Sequence, residues 1–482
     1  DQINQIDCLI YGDVLEHLVD PWTCVARQSD HLSDEGVMIA CIPNVQHWSM
    51  IQQLLYGKWQ LNEEGLFDKT HLRWFTHSGI RELVSTCKLN LIEISPRIFN
   101  PKAIKNFVSK IEPALINFGI NKEKFIQGVA PLQYVVRASK HKPKIFHINY
   151  VNIKFDLPGI VNSRVLNPLT ALSTVPGVNL KCDSKLLLQN DNGESRKLVL
   201  YYRPIFLKER DSINIKNLID HGYIIIIDFD DDINIIKDDD IRKFTLQSCH
   251  AIQTTNDNLA ESIRQYNSEV KVFKNGVISI DEKRESLIKE STLKVFFGAV
   301  NRQNDWKPWM NSLNKIIKEY PEKYYFEVVH DKKFYESLEI SETKKSFTPT
   351  CQYSTYLSKM KMCDIAFMPL LDNDFNKKKS DLKAVEAASF GLAILSNPVV
   401  YGNTFNEKNA AFFETSNQLE ETLRCWANDP NLVRKIGQRS RRYVSENRLF
   451  CYQNLEKLEW YESLWERREE LNNQLKSRLN KL

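Results

Sequence analysis

Lysines cluster beside the start of a predicted helix. Three are consecutive, Lys377 to Lys379, and a fourth, Lys383, follows within the first helical turn. Ser380 and Asp381 have short side-chain oxygens that favour a helix N-cap, and good helix formers run on toward Gly391, where a helix commonly ends. Unpaired N–H groups and the helix dipole favour negative charge at such a start. The stretch therefore predicts an anion site, and a solvated basic loop is the alternative.

Acidic residues cluster at a second point, where Asp228 and Asp230 to Asp232 lie close together. They follow an apolar run, Tyr223–Ile227, that predicts a buried strand. Carboxylates can bind hard cations, and an acid at the C-terminal edge of a strand can act as a base toward a hydroxyl. Asp230 and Asp231 are therefore candidate catalytic residues, and a solvated loop that caps the next helix is the alternative.

The composition is that of an ordinary globular protein. The chain has 482 residues, 42% hydrophobic and 26% charged, and this length predicts two to four domains. A formal net charge of +4 is too small to indicate nucleic acid as a partner. The ten cysteines form no C-x-x-C pair and no zinc-ligand spacing with histidine, which favours a reducing compartment. No signal peptide or membrane-spanning apolar run is visible, so the sequence predicts a cytoplasmic protein.

Strands and helices alternate along most of the chain, which predicts βαβ units and parallel sheets. A polar break near residues 140–144 predicts a domain boundary, and a strongly charged run ahead of the strand at Leu293 predicts a linker. The predicted organisation is an N-terminal domain at residues 1–140, a second domain at 143–276, a linker at 277–292, a third domain at 293–450 and a C-terminal helix at 451–482.

The lysine-rich stretch also carries a specific pattern. Residues Phe375 to Glu386 fit F-N-x-x-K-S-D-x-K-x-x-E, and K-x-x-E-A-x-x-x-G runs from Lys383 to Gly391. Both resemble the donor-site segment of GT-B glycosyltransferases of the bacterial surface-polysaccharide type. The resemblance implies a nucleotide-sugar donor whose diphosphate meets Lys383 and whose ribose meets Glu386.

The same resemblance covers the turn from Gly298 to Arg302. It implies that Arg302 lies near the diphosphate. The small Gly298 lets the backbone approach the ligand, and Ser380 starts the helix beside the diphosphate. Lysine, arginine and a helix dipole would neutralise the leaving diphosphate, so no metal and no cofactor are expected to be required. The chain departs from the family at Lys378, where many retaining members carry Glu, and at Asn409, where a glycine-rich turn is usual.

The N-terminal region carries a different pattern, D-V-L-E-H-L from Asp13 to Leu18, between two predicted strands. It resembles the second half of a class I S-adenosylmethionine-dependent methyltransferase. The glycine-rich cofactor turn and the acidic ribose ligand of such a fold would precede Asp1. The resemblance implies a partial domain with a vestigial cofactor pocket at Asp13, Glu16 and His17, or else these residues only cap a strand end and a helix start. S-adenosylmethionine is expected only if the domain is complete upstream.

The predicted fold class is α/β, with two Rossmann-like domains of GT-B type preceded by a partial Rossmann-like methyltransferase domain. The predicted function is sugar transfer from a nucleotide-sugar donor to a glycan or lipid-linked glycan acceptor in surface-polysaccharide synthesis. The predicted location is the cytoplasm, with peripheral association at the inner face of the membrane as an option. The alternatives are a methyltransferase, bifunctional in a longer protein, and a non-catalytic scaffold with a lapsed donor site.

Overall fold

The structure, a computed structural model, describes residues 5–151, 161–186, 195–280 and 292–481. The chain divides into two units, Asp1–Lys144 and Ile145–Leu482. The predicted linker at residues 277–292 lies largely outside the described residues. Within the described ranges, every helix is too short or too polar to cross a lipid bilayer.

The first unit is an α/β layer built on one mixed sheet. Its strands are β1 Ile6–Gly12, β2 Leu32–Pro43, β3 Asn90–Ile98 and β4 Pro131–Ser139. They lie in the order β1-β2-β4-β3, with β1 parallel to β2 and β4 antiparallel to both of its neighbours. A short 3₁₀ turn, Leu15–His17, follows β1. The helices are Pro21–Ser29, Trp48–Leu55, His77–Thr86, Pro101–Asn117 and Lys122–Val129.

The second unit contains two parallel sheets. The strands of the first are β5 Phe146–Val151, β6 Val178–Asp183, β7 Arg196–Tyr202, β8 Ile224–Asp228, β9 Ala251–Thr254 and β10 Val270–Val272. Their order is β10-β9-β8-β7-β5-β6, and every pair among them is parallel. The helices of this first Rossmann-like domain are Asn162–Leu166, Asn167–Leu172, Lys208–Asp220, Asp239–Gln247 and Asp257–Arg264, with a 3₁₀ turn at Ile233–Ile235.

The strands of the second sheet are β11 Leu293–Gly298, β12 Tyr324–Val329, β13 Lys345–Thr348, β14 Ile365–Met368, β15 Ala393–Ser396 and β16 Ala411–Phe412. Their order is β13-β12-β11-β14-β15-β16, all parallel. The chain order reverses between β11 and β14, which is where ligands bind in doubly wound sheets. The helices of this second Rossmann-like domain are Gln303–Trp306, Met310–Glu319, Lys332–Ser337, Tyr353–Lys361, Asp374–Lys377, Leu382–Ser389, Pro398–Tyr401, Ser416–Asn428 and Pro430–Asn447. Its 3₁₀ turns are Lys307–Trp309 and Glu342–Lys344.

Helices cover both faces of each parallel sheet, which explains the unbroken apolar runs of their strands. In β8, for example, Ile225 and Ile227 face one buried cluster while Ile224 and Ile226 face the other. None of these four side chains is more than 1% exposed. Each such burial contributes about 1.5–3 kcal/mol relative to an exposed side chain. The prediction of parallel sheets from these runs is confirmed.

The C-terminal segment packs on the first Rossmann-like domain over most of its length. It follows a 3₁₀ turn, Phe450–Gln453, and forms two helices, Asn454–Glu466 and Arg468–Lys481. Tyr461 donates a hydrogen bond to Gln253 Oε1 at 2.9 Å. In the last helix Leu471 and Leu475, which are 1% and 0% exposed, enter the apolar clusters on the two faces of the first sheet. Both helices therefore bury apolar residues against this domain.

Candidate functional site

The candidate site lies where β11 and β14 end side by side. β11 leads into the turn that starts at Gly298, and β14 leads into the lysine-rich loop. Side chains from both connections line a cavity of about 180 Å³. Of the five predicted donor-binding residues, four line it: Gly298, Arg302, Ser380 and Lys383. The fifth, Glu386, lies one turn further along the same helix as Lys383.

Lys383 is a half-buried cation whose hydrogen-bond partner is uncharged. Its Nζ donates a hydrogen bond to the Gly298 carbonyl at 2.9 Å. Burial and the nearby charge of Arg302 lower the pKa of Lys383 to about 8. Removing a charge from water costs free energy unless an opposite charge compensates it. The site is therefore electrostatically suited to an anion.

Arg302 is positioned by one of its nitrogens and keeps others for a ligand. Its Nη1 donates to Asn376 Oδ1 at 2.6 Å and lies 3.0 Å from Asp305 Oδ2. Within the described part of the chain, Nε and Nη2 have no hydrogen-bond partner. Asp305 also accepts from the Leu371 N–H at 3.0 Å and from Asn376 Nδ2 at 2.7 Å. The arginine is thus held in place from both connections, with donors left on the side of the cavity.

Glu386 is a buried acid with one phenolic partner. It is 5% exposed, and the Tyr353 hydroxyl donates to its Oε1. Burial raises the pKa of Glu386 to about 7, although the Tyr353 hydrogen bond and the charge of Lys383 both oppose the rise. A carboxylate in this state accepts hydrogen bonds strongly, so it can bind ligand hydroxyl groups.

The predicted N-cap role of Asp381 is wrong. The residue occupies the N-cap position of the helix Leu382–Ser389, but its side chain makes no capping hydrogen bond. Its Oδ2 instead lies 2.7 Å from Arg448 Nη1 and accepts a hydrogen bond from Thr404. Arg448 is 3% exposed, and a buried guanidinium needs a counter-charge more than a helix start needs a cap. The helix therefore begins at the cavity without a side-chain cap.

The position of Gly298 has no room for a side chain. A Cβ atom at this position would lie 2.7 Å from the rings of Phe296 and Tyr356. The sequence-based reason for this glycine was close approach of a ligand to the backbone. The structure adds a packing reason, because side chains inside the domain already occupy the space.

Asp230 and Asp231 lie at the C-terminal end of β8 and are both ion-paired. Arg203 Nε lies 2.5 Å from Asp230 Oδ1, and Arg203 Nη1 lies 3.3 Å from Asp231 Oδ2. Lys379 Nζ, from the second Rossmann-like domain, lies 2.7 Å from Asp231 Oδ1. Burial alone would raise the pKa of Asp231, but the Lys379 hydrogen bond and both cations outweigh it and lower the pKa. Asp231 is therefore a weaker base than an ordinary aspartate.

The lysine-rich loop contacts the first Rossmann-like domain at further points. Lys378 Nζ lies 3.2 Å from Asp232 Oδ1. The Asn256 amide donates to the carbonyls of Lys378 and Lys379 at 3.1 and 3.3 Å. Sequence reasoning missed Asn256, because nothing in its neighbourhood in the chain points to a loop more than a hundred residues away. Asn376, which positions Arg302, was visible only as the second letter of the F-N-x-x-K-S-D pattern.

The residues of the predicted vestigial pocket lie in the first unit. Asp13 has a left-handed backbone, with φ 52°, and accepts a hydrogen bond from Gln133 Nε2 at 2.8 Å. Glu16 is 1% exposed, and burial raises the pKa of its carboxyl. His17 and a residue that sequence reasoning missed, His71, have ring centroids 4.8 Å apart.

No family model and no curated protein matches this sequence. Solved structures do resemble it. The catalytic domain of starch synthase IV from Arabidopsis thaliana, bound to ADP and acarbose, is 9% identical with a TM-score of 0.50, over 68% of this chain and all of that one. HepE from Anabaena, in complex with UDP and glucose, is 12% identical with a TM-score of 0.44, over 67% of this chain and all of that one. A mutant TarM of S. aureus, in complex with fondaparinux, alpha-GlcNAc-glycerol and UDP, is 11% identical with a TM-score of 0.43.

The TarM match covers 55% of each chain, so this protein spans about half the length of that relative. At these identities the likeness concerns the fold. The second unit contains two parallel six-stranded sheets, each covered by helices. The second unit is an α/β structure with two Rossmann-like domains of the GT-B type.

Proposed function

We propose that the second unit transfers a sugar from a nucleotide-sugar donor to a hydroxyl of a glycan acceptor. The observation that carries the proposal is Lys383, a half-buried cation whose hydrogen-bond partner is the neutral Gly298 carbonyl. It lines one cavity together with Arg302 and the helix start at Ser380. A diphosphate would compensate these charges, and the GT-B architecture supports the same assignment.

In the proposed reaction the bond between the anomeric carbon and the diphosphate oxygen breaks, and its electron pair leaves with the diphosphate. A new bond forms from the acceptor oxygen, whose proton passes to a base or to water. Lys383 and the free donors of Arg302 neutralise the charge that develops on the leaving group. Glu386 accepts hydrogen bonds from the ribose hydroxyls. We expect these side chains to bind the diphosphate without an added metal or cofactor.

Asp230 and Asp231 remain the candidates for the base. The ion pairs of Asp231 with Arg203 and Lys379 fit a structural contact between the domains better than proton abstraction. Asp230 pairs with Arg203 alone among the described cations. We therefore propose Asp230 as the better candidate of the two.

The finer expectations stay predictions. They are a surface-polysaccharide product, a lipid-linked glycan acceptor, a cytoplasmic location and peripheral contact with the membrane. A vestigial cofactor pocket at Asp13, Glu16 and His17 is likewise a prediction, and methyltransferase activity is an alternative that requires a domain completed upstream. A non-catalytic scaffold is the competing hypothesis for the second unit, since Lys378 replaces the Glu of many retaining enzymes.

The test is a thermal-shift panel of UDP, GDP, dTDP, CDP, ADP and S-adenosylhomocysteine on the full chain, Lys383→Ala and Lys435→Ala. Lys435 is an exposed lysine on another helix and serves as the matched control. A ligand that binds the native state raises the melting temperature. We expect one nucleoside diphosphate to stabilise the native chain and the control but not Lys383→Ala. A shift with S-adenosylhomocysteine alone, or no shift at all, would refute the proposed donor site.

A further inference from the structure

A second cluster of ligand-type side chains lies in the first unit, away from the proposed donor site in the chain. Glu16 and His17 lie in the short turn after β1. A distant segment reaches them through two backbone hydrogen bonds, from the N–H groups of Leu72 and Arg73 to the Glu16 carbonyl, at 2.7 and 2.9 Å. These bonds bring His71 beside the turn.

The three side chains converge on one point. A carboxylate oxygen of Glu16 and a ring nitrogen from each of His17 and His71 all lie within 4.8 Å of one another. Two imidazoles and a carboxylate form a donor set that proteins use for zinc and for other divalent transition metals. Two ligands of one ion, each at about 2.0–2.2 Å, lie at most about 4.4 Å apart, so the three side chains would close slightly around an ion that they share.

The hydrogen bonds around His17 leave its Nε2 as the metal-binding atom. Its Nδ1 lies 3.2 Å from the Thr70 carbonyl oxygen, which can only accept, so Nδ1 carries the proton. Nδ1 also lies 2.9 Å from Thr70 Oγ1, and that hydroxyl donates to Asp68 Oδ1 at 2.6 Å. A chain from carboxylate through hydroxyl to imidazole of this kind orients metal-ligating histidines and fixes their tautomer.

His71 and Glu16 both have buried atoms without a partner. His71 Nδ1 and both carboxylate oxygens of Glu16 are inaccessible to solvent and accept no hydrogen bond within the described residues. Glu16 is 1% exposed. A buried carboxylate without a partner is costly. A dication at the common point would satisfy all of these atoms at once.

We propose that Glu16, His17 and His71 bind one divalent transition-metal ion, with zinc as the best fit. The protein supplies three ligands, which leaves a position for water or for a substrate atom. The acids Asp13 and Asp68 lie close enough for their charges to act on Glu16, and they add to the negative potential that attracts the cation. Sequence spacing gave no sign of this site, because His71 is far from the other two residues along the chain.

The experiment uses the full chain after removal of bound metals with a chelator. Co²⁺ is titrated as a spectroscopic probe, and Zn²⁺ is then added to displace it. We expect one equivalent of Co²⁺ to bind with visible d–d bands, and Zn²⁺ to abolish them. Glu16→Gln keeps the shape of the side chain and should weaken binding at least about tenfold, as even outer-shell changes at metal sites commonly do.

His77→Gln is the matched control. His77 is a half-buried histidine of the same unit, and its ring centroid lies 5.5 Å from that of Tyr134. It should bind Co²⁺ like the unmodified chain. Binding through cysteine would produce thiolate charge-transfer bands and would persist in Glu16→Gln. That result would overturn the proposal. So would equal Co²⁺ affinity in the unmodified chain and Glu16→Gln, or saturation by Mg²⁺ but not by Co²⁺ or Zn²⁺.

Thr70→Val provides a second variant should Glu16→Gln fold poorly. It removes the hydroxyl that links Asp68 to His17 without touching a ligand. We expect about 10- to 100-fold weaker binding with an unchanged stoichiometry. The Thr70 carbonyl that fixes the His17 tautomer remains in this variant, so unchanged affinity would show that the hydroxyl does not orient a metal-bound His17 and would contradict the site.

Discussion

The depressed pKa of Lys383 makes nucleotide affinity depend on pH in a direction that can be calculated. Burial and the charge of Arg302 lower this pKa to about 8. Only the protonated lysine attracts a diphosphate. With a pKa of about 8, roughly nine-tenths of the lysine is protonated at pH 7 and about one-tenth at pH 9. The affinity of the unliganded chain for the diphosphate should therefore fall about tenfold, or about 1.4 kcal/mol, over this interval.

The assay is isothermal titration calorimetry between pH 7 and pH 9 with the nucleoside diphosphate identified by thermal shift. Lys383→Arg is the critical comparison, because an arginine stays charged throughout this range. It should show a nearly flat profile apart from the titration of the nucleotide itself, which both chains share. Lys383→Ala should bind weakly at every pH.

Two outcomes would refute the reasoning. A flat profile for the unmodified chain would mean that the lysine does not titrate near pH 8 or does not contact the ligand. A decline of the same size in Lys383→Arg would assign the pH dependence to another group. Either result would refute the pH dependence assigned to Lys383, and unchanged affinity in Lys383→Ala would remove this residue from the proposed binding site.

Three further predictions follow from the contacts. Glu386→Gln removes an acid whose pKa in the folded chain, about 7, exceeds its unfolded value of 4.5. The unmodified chain therefore loses stability as the pH rises from 4.5 to 7. In urea unfolding the variant should be more stable by up to about 3 kcal/mol at pH 8, and the two chains should be equally stable near pH 4. Asp231→Asn breaks the pair with Lys379, whose two side chains are 21% and 22% exposed, and should cost about 1 kcal/mol. It should also raise the radius of gyration in X-ray scattering, and an unchanged radius would contradict a role in holding the domains together. Gly298→Ala should lower stability by about 1–3 kcal/mol, and an unchanged melting temperature would show that the neighbouring rings can move.

The sequence predicts well those elements that are buried on both faces or whose ends are set by neighbouring residues. The strand β8 lies at the centre of a parallel sheet and is covered on both faces, so its five residues form a continuous apolar run ending in an acid. The helix Leu382–Ser389 is bounded by polar residues and by Gly391, whose φ of 82° is easy for a glycine. Such features appear in the sequence because the requirement lies within a few neighbouring residues.

Edge strands cannot be predicted in the same way. The strand β6 lies at the edge of its sheet, and its residues alternate between half-buried and exposed. The strand β13, Lys345–Thr348, lies at the edge of the other sheet and includes a lysine and two hydroxyl residues. Strands whose residues are largely only partly buried do not require an apolar run, so neither segment has a strong strand signal. Their place depends on neighbours that are distant in the chain.

The same limit applies to side-chain partners. Asp381 has the residue type of an N-cap, and only the three-dimensional structure reveals that buried Arg448 binds it instead. His71 shows no ligand spacing, and only two backbone hydrogen bonds bring it to Glu16. A sequence shows which side chains can cap a helix or bind an ion, but long-range contacts decide which of them come together.

Long-range contacts also connect the candidate donor site to the first Rossmann-like domain. The loop that ends at Ser380 is held by Asn256 through its carbonyls and by Asp231 through Lys379, all from the first Rossmann-like domain. The same loop runs directly into the helix that carries Lys383. Separating the domains would break these contacts together and free the start of that helix. Asp231, which the sequence suggested as a base, therefore contacts the loop that leads to Lys383, the proposed phosphate-binding lysine.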